Sequence, residues 1–187
     1  MKCRQCGSMM STERRLYHYT ACGLPNVWLE GLDVNVCLSC GDASVAIPNI
    51  EGLHDLLAQC LVTKRSHLTG DEVRFLRSHV GWSGQDFARM LRVNPSTVSR
   101  WESGRQMMGS SAETAVRLLC VAFPKIQDYE AHDNGGESAE QAAASHRLMA
   151  DLMRILPEVD DSMASKDIRP TRVHGQWTAE RECSSHL

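Results

Sequence analysis

The sequence predicts an α+β chain: a small, β-rich N-terminal module stapled by a metal ion, an all-helical domain behind it, and a C-terminal extension. Three observations carry this expectation. Two copies of C-x-x-C-G, Cys3/Cys6/Gly7 and Cys37/Cys40/Gly41, bracket thirty residues of strand-like sequence. Three helix starts of the hydroxyl-x-x-carboxylate form, Thr69/Glu72, Ser83/Asp86 and Ser110/Glu113, follow within forty-five residues. The charge also divides along the chain: −2 over residues 1–63, +4 over 64–105, +1 over 106–127 and −6 over 128–187, within a total of −3.

The cysteines set the first module. A C-x-x-C turn brings two thiolates toward one point, and the glycine after it accepts the tight, often positive-φ backbone; two such knuckles complete a tetrahedral site. Cys3, Cys6, Cys37 and Cys40 are the expected ligands of one structural Zn2+. An iron site of the rubredoxin kind uses the same double knuckle, so the spacing leaves the metal open. Between the knuckles, 14–20 alternates around Leu16 and His18, and 27–36 reads as two short strands about Gly31. So small a module buries too little apolar surface to offset chain entropy alone, so metal binding is expected to supply much of its folding free energy. Cys22 reads as a turn residue and Cys60 and Cys120 as core, while Cys183 reads as a free thiol on a tail. His18, His54, His67 and His79 show no ligand spacing and are expected at the surface or in a satisfied hydrogen bond.

An Asn49-led helix carrying Ile50, Leu53, Leu56, Leu57 and Leu61 ends near Thr63, so a first domain is expected over 1–63, with residues 64–68 as connector and boundary. Over 69–130 the capped helices form a compact bundle. Phe87, Ala88 and Leu91 make the inner face of one helix, Arg92-Val93-Asn94 is the turn between crossed helices, and Asn94 caps a third helix with Pro95 at its first position and Gly104 past its end. This is a helix-turn-helix pattern. Val98 and Trp101 face inward, which turns Ser96, Thr97 and Arg100 outward. An arginine in mid-helix can fork onto guanine O6 and N7, and short hydroxyls can reach base edges or phosphate. Ser83 and Gln85, Asn94 and Pro95, and Arg105 complete the candidate DNA-facing set, placed for contacts that fix register. Glu102 is expected to anchor its helix end.

The basic block attracts phosphate and the acidic remainder argues against indiscriminate coating of nucleic acid. No Ser/His/Asp constellation, paired carboxylates or phosphate-cradling glycine loop is present, and four thiolates leave zinc no open position, so no enzyme is expected. The absence of an eighteen-residue apolar run and of a signal-peptide core at Met1-Lys2-Cys3-Arg4 predicts a cytoplasmic protein without a membrane partner. The extension is expected to hold one alanine-rich helix, Ser138 to Leu156, stopped by Pro157 within 131–157, and then a disordered tail over 158–187.

The knuckles, the stretch Gly23-Leu24-Pro25-Asn26-Val27 before Cys37-Leu38-Ser39-Cys40-Gly41, and the helix-turn-helix behind them resemble the MqsA-type (YgiT-type) zinc-finger antitoxins, whose helical domain is of the Cro/lambda-repressor-like XRE kind. The resemblance covers about residues 1–127. It implies a zinc module that is structural and binds a cognate toxin, an mRNA-cleaving ribonuclease. It also implies a helical domain that dimerises and represses its own operon at a palindromic operator of double-stranded DNA. On that resemblance Cys3, Cys6, Cys37 and Cys40 hold the zinc, and Ser96 and Arg100 occupy the base-contacting positions. The chain departs from the pattern at Gly84, where many such readers carry a phosphate-binding glutamine, at Ser96, where one well-defined reader has asparagine, and in its length beyond residue 128. Two other readings fit the same residues: a stand-alone regulator with no toxin, its zinc module sensing metal or redox state or stiffening the protein, and a rubredoxin-like electron carrier fused to a helical domain.

Overall fold

The computed structural model describes residues 1–130, 156, 159–160 and 162–179. The helix expected over Ser138 to Leu156 falls outside the described residues except for Leu156, as does Cys183. The chain divides into two units, Met1–Leu57 with Lys166–Leu187, and Ala58–Ser165.

In the first unit β1 (Met10–Arg14), β4 (Asp33–Cys37) and β5 (Ala43–Val45) form an antiparallel sheet in the order β1-β4-β5, with Met10 opposite Cys37 and Val34 opposite Val45. A separate two-stranded ladder joins β2 (Tyr17–His18) to β3 (Trp28–Leu29). The two strands expected about Gly31 are β3 and β4. They do not pair with each other, because the chain turns at Gly31 (φ 75°) and each strand joins a different sheet. The run expected over 14–20 is broken after Arg14. Leu24, Val27, Leu29, Val34, Leu53 and Leu57 are fully buried and make the small apolar core.

The tail departs most from the sequence reading. Residues 158–187 were expected without structure, yet β6 (Thr171–Val173) and β7 (Gln176–Thr178) form a hairpin. Its two-residue loop, His174 (φ 49°) and Gly175 (φ 86°), has the paired positive φ of a type I′ turn, whose twist matches that of the strands. Trp177 is 8% exposed and its indole N–H reaches the carbonyls of Pro48 (3.0 Å) and Asn49 (3.2 Å). Composition pointed to disorder, but non-local pairing and one buried aromatic side chain override it.

Helix α1 (Ile50–Thr63) has the predicted bounds and follows Asn49, whose side chain accepts from Gly52 N at 3.2 Å. The division between units lies inside it, not at 64–68. The expected connector belongs to the second unit because Arg117, 2% exposed, binds it from within. One Arg117 nitrogen donates to the carbonyls of Val62 (2.8 Å) and Lys64 (2.6 Å), the other to Ser66 O (2.9 Å) and to Glu113 (2.6 Å). Glu113 in turn accepts from Leu68 N (3.0 Å) and His67 Nδ1 (2.7 Å). The last carbonyls of α1, which have no partner within the helix, thus find donors on a side chain of a later one.

Helices α2 (Gly70–His79), α3 (Gly84–Met90), α4 (Pro95–Glu102) and α5 (Ser110–Glu130) complete the unit. Thr69 and Glu72 form the full reciprocal capping box. Ser83 caps α3, but the Asp86 carboxylate accepts a hydrogen bond from the Ser83 hydroxyl instead of reaching back to the backbone, and Glu113 is drawn into the Arg117 network. Only one of the three expected boxes is therefore complete. Gly70 has a separate role: a Cβ there would lie 2.6 Å from Glu102 O and 2.7 Å from Trp101 O, so only glycine lets α2 begin against the end of α4.

Candidate metal centre and nucleic-acid interface

The two knuckles are conformational copies. Cys3 N donates to Ser8 O and Cys37 N to Asp42 O, each at 2.8 Å; Gly7 N reaches Cys3 O at 3.0 Å and Gly41 N reaches Cys37 O at 2.9 Å. The glycines have φ of 74° and 76°, which is why glycine closes each knuckle. β1 begins just beyond the first knuckle and β4 ends at Cys37, so the Met10–Cys37 register brings the two together.

All four sulfurs lie within 4.8 Å of one another, with Cys3–Cys40 at 3.6 Å and Cys6–Cys37 at 3.4 Å. A tetrahedral ion with metal–sulfur bonds of about 2.3 Å would hold sulfurs about 3.8 Å apart, so the donor set fits a thiolate-bound metal ion such as zinc. Cys3 and Cys37 are buried, Cys6 and Cys40 exposed. Hydrogen bonds from Ser8, with Cys37 and Cys40 adding to them, pull Cys6 down to about 6. At Cys40 the Asp42 backbone N–H favours the thiolate, but the neighbouring sulfurs and burial outweigh it and push the group up to about 12. Four adjacent thiols cannot all ionise without a cation among them; a bound divalent ion removes that conflict.

Among the helices, α3, the turn and α4 are held by the bonds that a tight crossing needs: Leu91 N to Phe87 O (3.0 Å), Val93 N to Ala88 O (2.9 Å), and Arg92 in the left-handed region at φ 54°. Val98 and Trp101 are buried as expected, and Ser96 and Arg100 are exposed with Thr97 half-buried beside them. Arg100 lies back along its own helix, Nε on Ser96 O (3.2 Å) and Nη2 on Thr97 Oγ1 (3.1 Å). Asn94 Oδ1 accepts from Ser96 N at 2.9 Å, and Pro95 is at the first helical position, so both shape the helix start. Gln85 and Arg105 are exposed. Ser83 is likewise engaged within its own helix: its hydroxyl donates to Asp86 Oδ2 at 2.6 Å, and that bond, with Arg89 nearby, holds the Asp86 carboxyl below its usual range.

Of the residues that wall this surface, the sequence pointed to Ser83, Gln85 and Glu102 but not to Arg74 or Ser99. Arg74, Ser83, Gln85, Ser99 and Glu102 border a shallow concavity of about 470 Å³ between α2, the start of α3 and α4. Arg77 Nε donates to Glu102 at 2.6 Å and Arg74 Nη2 to Glu102 O at 3.2 Å, which confirms Glu102 as a helix-end anchor and adds two basic residues to the surroundings. The only available sequence signal was the i, i+3 spacing of Arg74 and Arg77. Among the described histidines, His18 stacks on Trp28 and bonds Pro25 O, His54 shares a hydrogen bond with Tyr19, His67 bonds Glu113 and His79 stacks on Phe75.

The family model for a helix-turn-helix domain matches residues 69–124. Neither the curated proteins nor the solved structures contain a match to the chain. No helix among the described residues is long and apolar enough to cross a membrane. The chain thus carries a helix-turn-helix domain, the mark of a DNA-binding regulator, behind a four-cysteine cluster that can hold a metal ion.

Proposed function

We propose that the protein is a sequence-specific repressor that binds a palindromic operator as a homodimer, reading base edges with Arg100 and Ser96. The observation that carries this reading is the exposure of Ser96 and Arg100 on one side of α4, opposite buried Val98 and Trp101, within the matched helix-turn-helix. Arg100 spends two donors on its own helix at exposed sites, a modest cost to give up for a guanine fork. Gln85 and Arg105 would contact phosphate and fix register, and two reader helices would enter major grooves about 34–36 Å apart. The cysteine module holds one structural zinc and takes no part in catalysis. Its protein-binding role is that of an antitoxin toward an mRNA-cleaving ribonuclease, a reading supported by the resemblance and by exposed Met1 (65%) and Met9 (67%), which flank the first knuckle in sequence, and Leu38 (82%), which lies within the second.

The test is retention of a fragment from the protein's own promoter. Binding should weaken steeply with salt. Arg100→Ala should lose about 1–3 kcal/mol, roughly five- to 150-fold in Kd, for that fragment with its melting unchanged. Equal retention by the parent and the variant would remove the assigned reader face.

A further inference from the structure

Within the first unit, the residues after Lys166 run parallel to Asn26–Glu30 and close the free edge of β3. Ile168 N donates to Asn26 O (2.9 Å), Trp28 N to Ile168 O (2.9 Å) and Glu30 N to Pro170 O (3.0 Å), with parallel bridges at Val27–Ile168 and Glu30–Thr171. The Asn26 amide reaches Lys166 O at 2.6 Å, between residues 140 positions apart in the chain. The hairpin beyond then places Trp177 against the carbonyls of Pro48 and Asn49.

We infer that this edge, with the place filled by Trp177, is a peptide-docking groove whose resident ligand is the chain's own segment 166–178. The contacts have the form of strand addition: the edge recognises main-chain groups, and one or two side chains fix the register. Three of the segment's carbonyls, at Lys166, Ile168 and Pro170, meet donors from Asn26, Trp28 and Glu30, which any extended chain could satisfy. The selective elements are Pro170 and Trp177, both buried. The segment brings no donor to the metal cluster, and both knuckles, all five strands β1–β5 and the start of α1 lie within residues 1–57. Parallel pairing is slightly weaker per residue than the antiparallel ladders beside it, and closing so long a loop costs entropy. The segment is thus the part of the unit that detaches first, and an extended segment with a comparably placed tryptophan gains access to β3 only when it leaves.

A labelled peptide of residues 165–179, added to the full chain, tests this. Trp177→Ala in the chain should bind the peptide at least tenfold more tightly than the parent, whose groove is filled, and a peptide carrying the same substitution should bind neither. Amide exchange at Trp28 and Glu30 should quicken at least tenfold in the variant and slow again when the peptide is added. Equal binding to both chains, or no binding to the variant, overturns the inference. Ile168→Pro, which deletes the N–H given to Asn26 O, is the second variant, and unchanged amide shifts of Gly7 and Gly41 report that the knuckles are intact. If both variants lose those shifts, the segment is part of the fold and the inference fails.

Discussion

The cysteine module and the helical unit meet the same difficulty by opposite means. Each is small, and neither has an apolar core large enough to offset chain entropy with ease. The module joins strands of two to five residues around a cluster of sulfurs that can hold a cation from outside. The helical unit carries its cation within the sequence: the guanidinium of Arg117, buried and given to four carbonyls and a carboxylate. One centre can be emptied by a chelator, whereas the other is lost only by mutation or acid. A buried polar centre can therefore organise a small fold from either source, but only the borrowed one makes folding depend on the surroundings.

The largest expected effect separates the two units. A strong chelator, or Cys37→Ser, should remove a metal contribution of about 10–16 kcal/mol on the scale of structural zinc sites. Amide dispersion over residues 1–45 should collapse while α2–α5 keep theirs; simultaneous loss in both would erase the contrast. Next comes Arg117→Leu, which leaves buried Glu113 without its cation and strips the end of α1 of donors. Chemical denaturation should report a loss of about 3–5 kcal/mol in the helical unit, with metal content unchanged. Adding Glu113→Leu should restore part of it, and no restoration would mean that the carbonyl bonds, rather than the ion pair, dominate.

The smallest effect is in acid. Burial pushes Glu113 toward its neutral form, but the bonds from His67 and Arg117 outweigh it and hold the carboxyl below its usual value of 4.5. A depressed carboxylate contributes stability that is complete above the usual value and disappears as pH falls through the folded one. Urea melts at pH 7 and near pH 3 should thus show the stability gap between the parent and Glu113→Gln narrowing on acidification. A gap of constant size would place the stabilisation elsewhere.

Local chemistry accounts for what was legible in advance. Asn49 and Thr63 bound α1, Thr69 and Glu72 start α2, Asn94-Pro95 starts α4, and the paired C-x-x-C-G spacings name the metal cluster, because each of these signals acts within a few residues. Partners distant in sequence were not legible. β1 was missed since Ser11 to Arg14 are all exposed and carry no alternating apolar signal; only the ladder to β4 makes them a strand. Arg117 carries no local sequence signal, since its role rests on carbonyls more than fifty positions away. The Glu113 start looked like a capping box, but the buried network competes for that carboxylate and wins. The tail hairpin did leave a trace, His174-Gly175 between Thr171-Arg172-Val173 and Gln176-Trp177-Thr178, which the polar, aperiodic sequence around it outweighed.

The matched hydrogen-bond frames of the knuckles bear on how the cluster assembles. Each knuckle is set by contacts spanning only a handful of residues, so each is a ready two-toothed claw before the other arrives. During synthesis the Cys3/Cys6 claw emerges first and can seize an ion while the Cys37/Cys40 claw is still to be made. Closure is then an encounter at high local concentration on one tethered strand, and the order of translation becomes the order of loading.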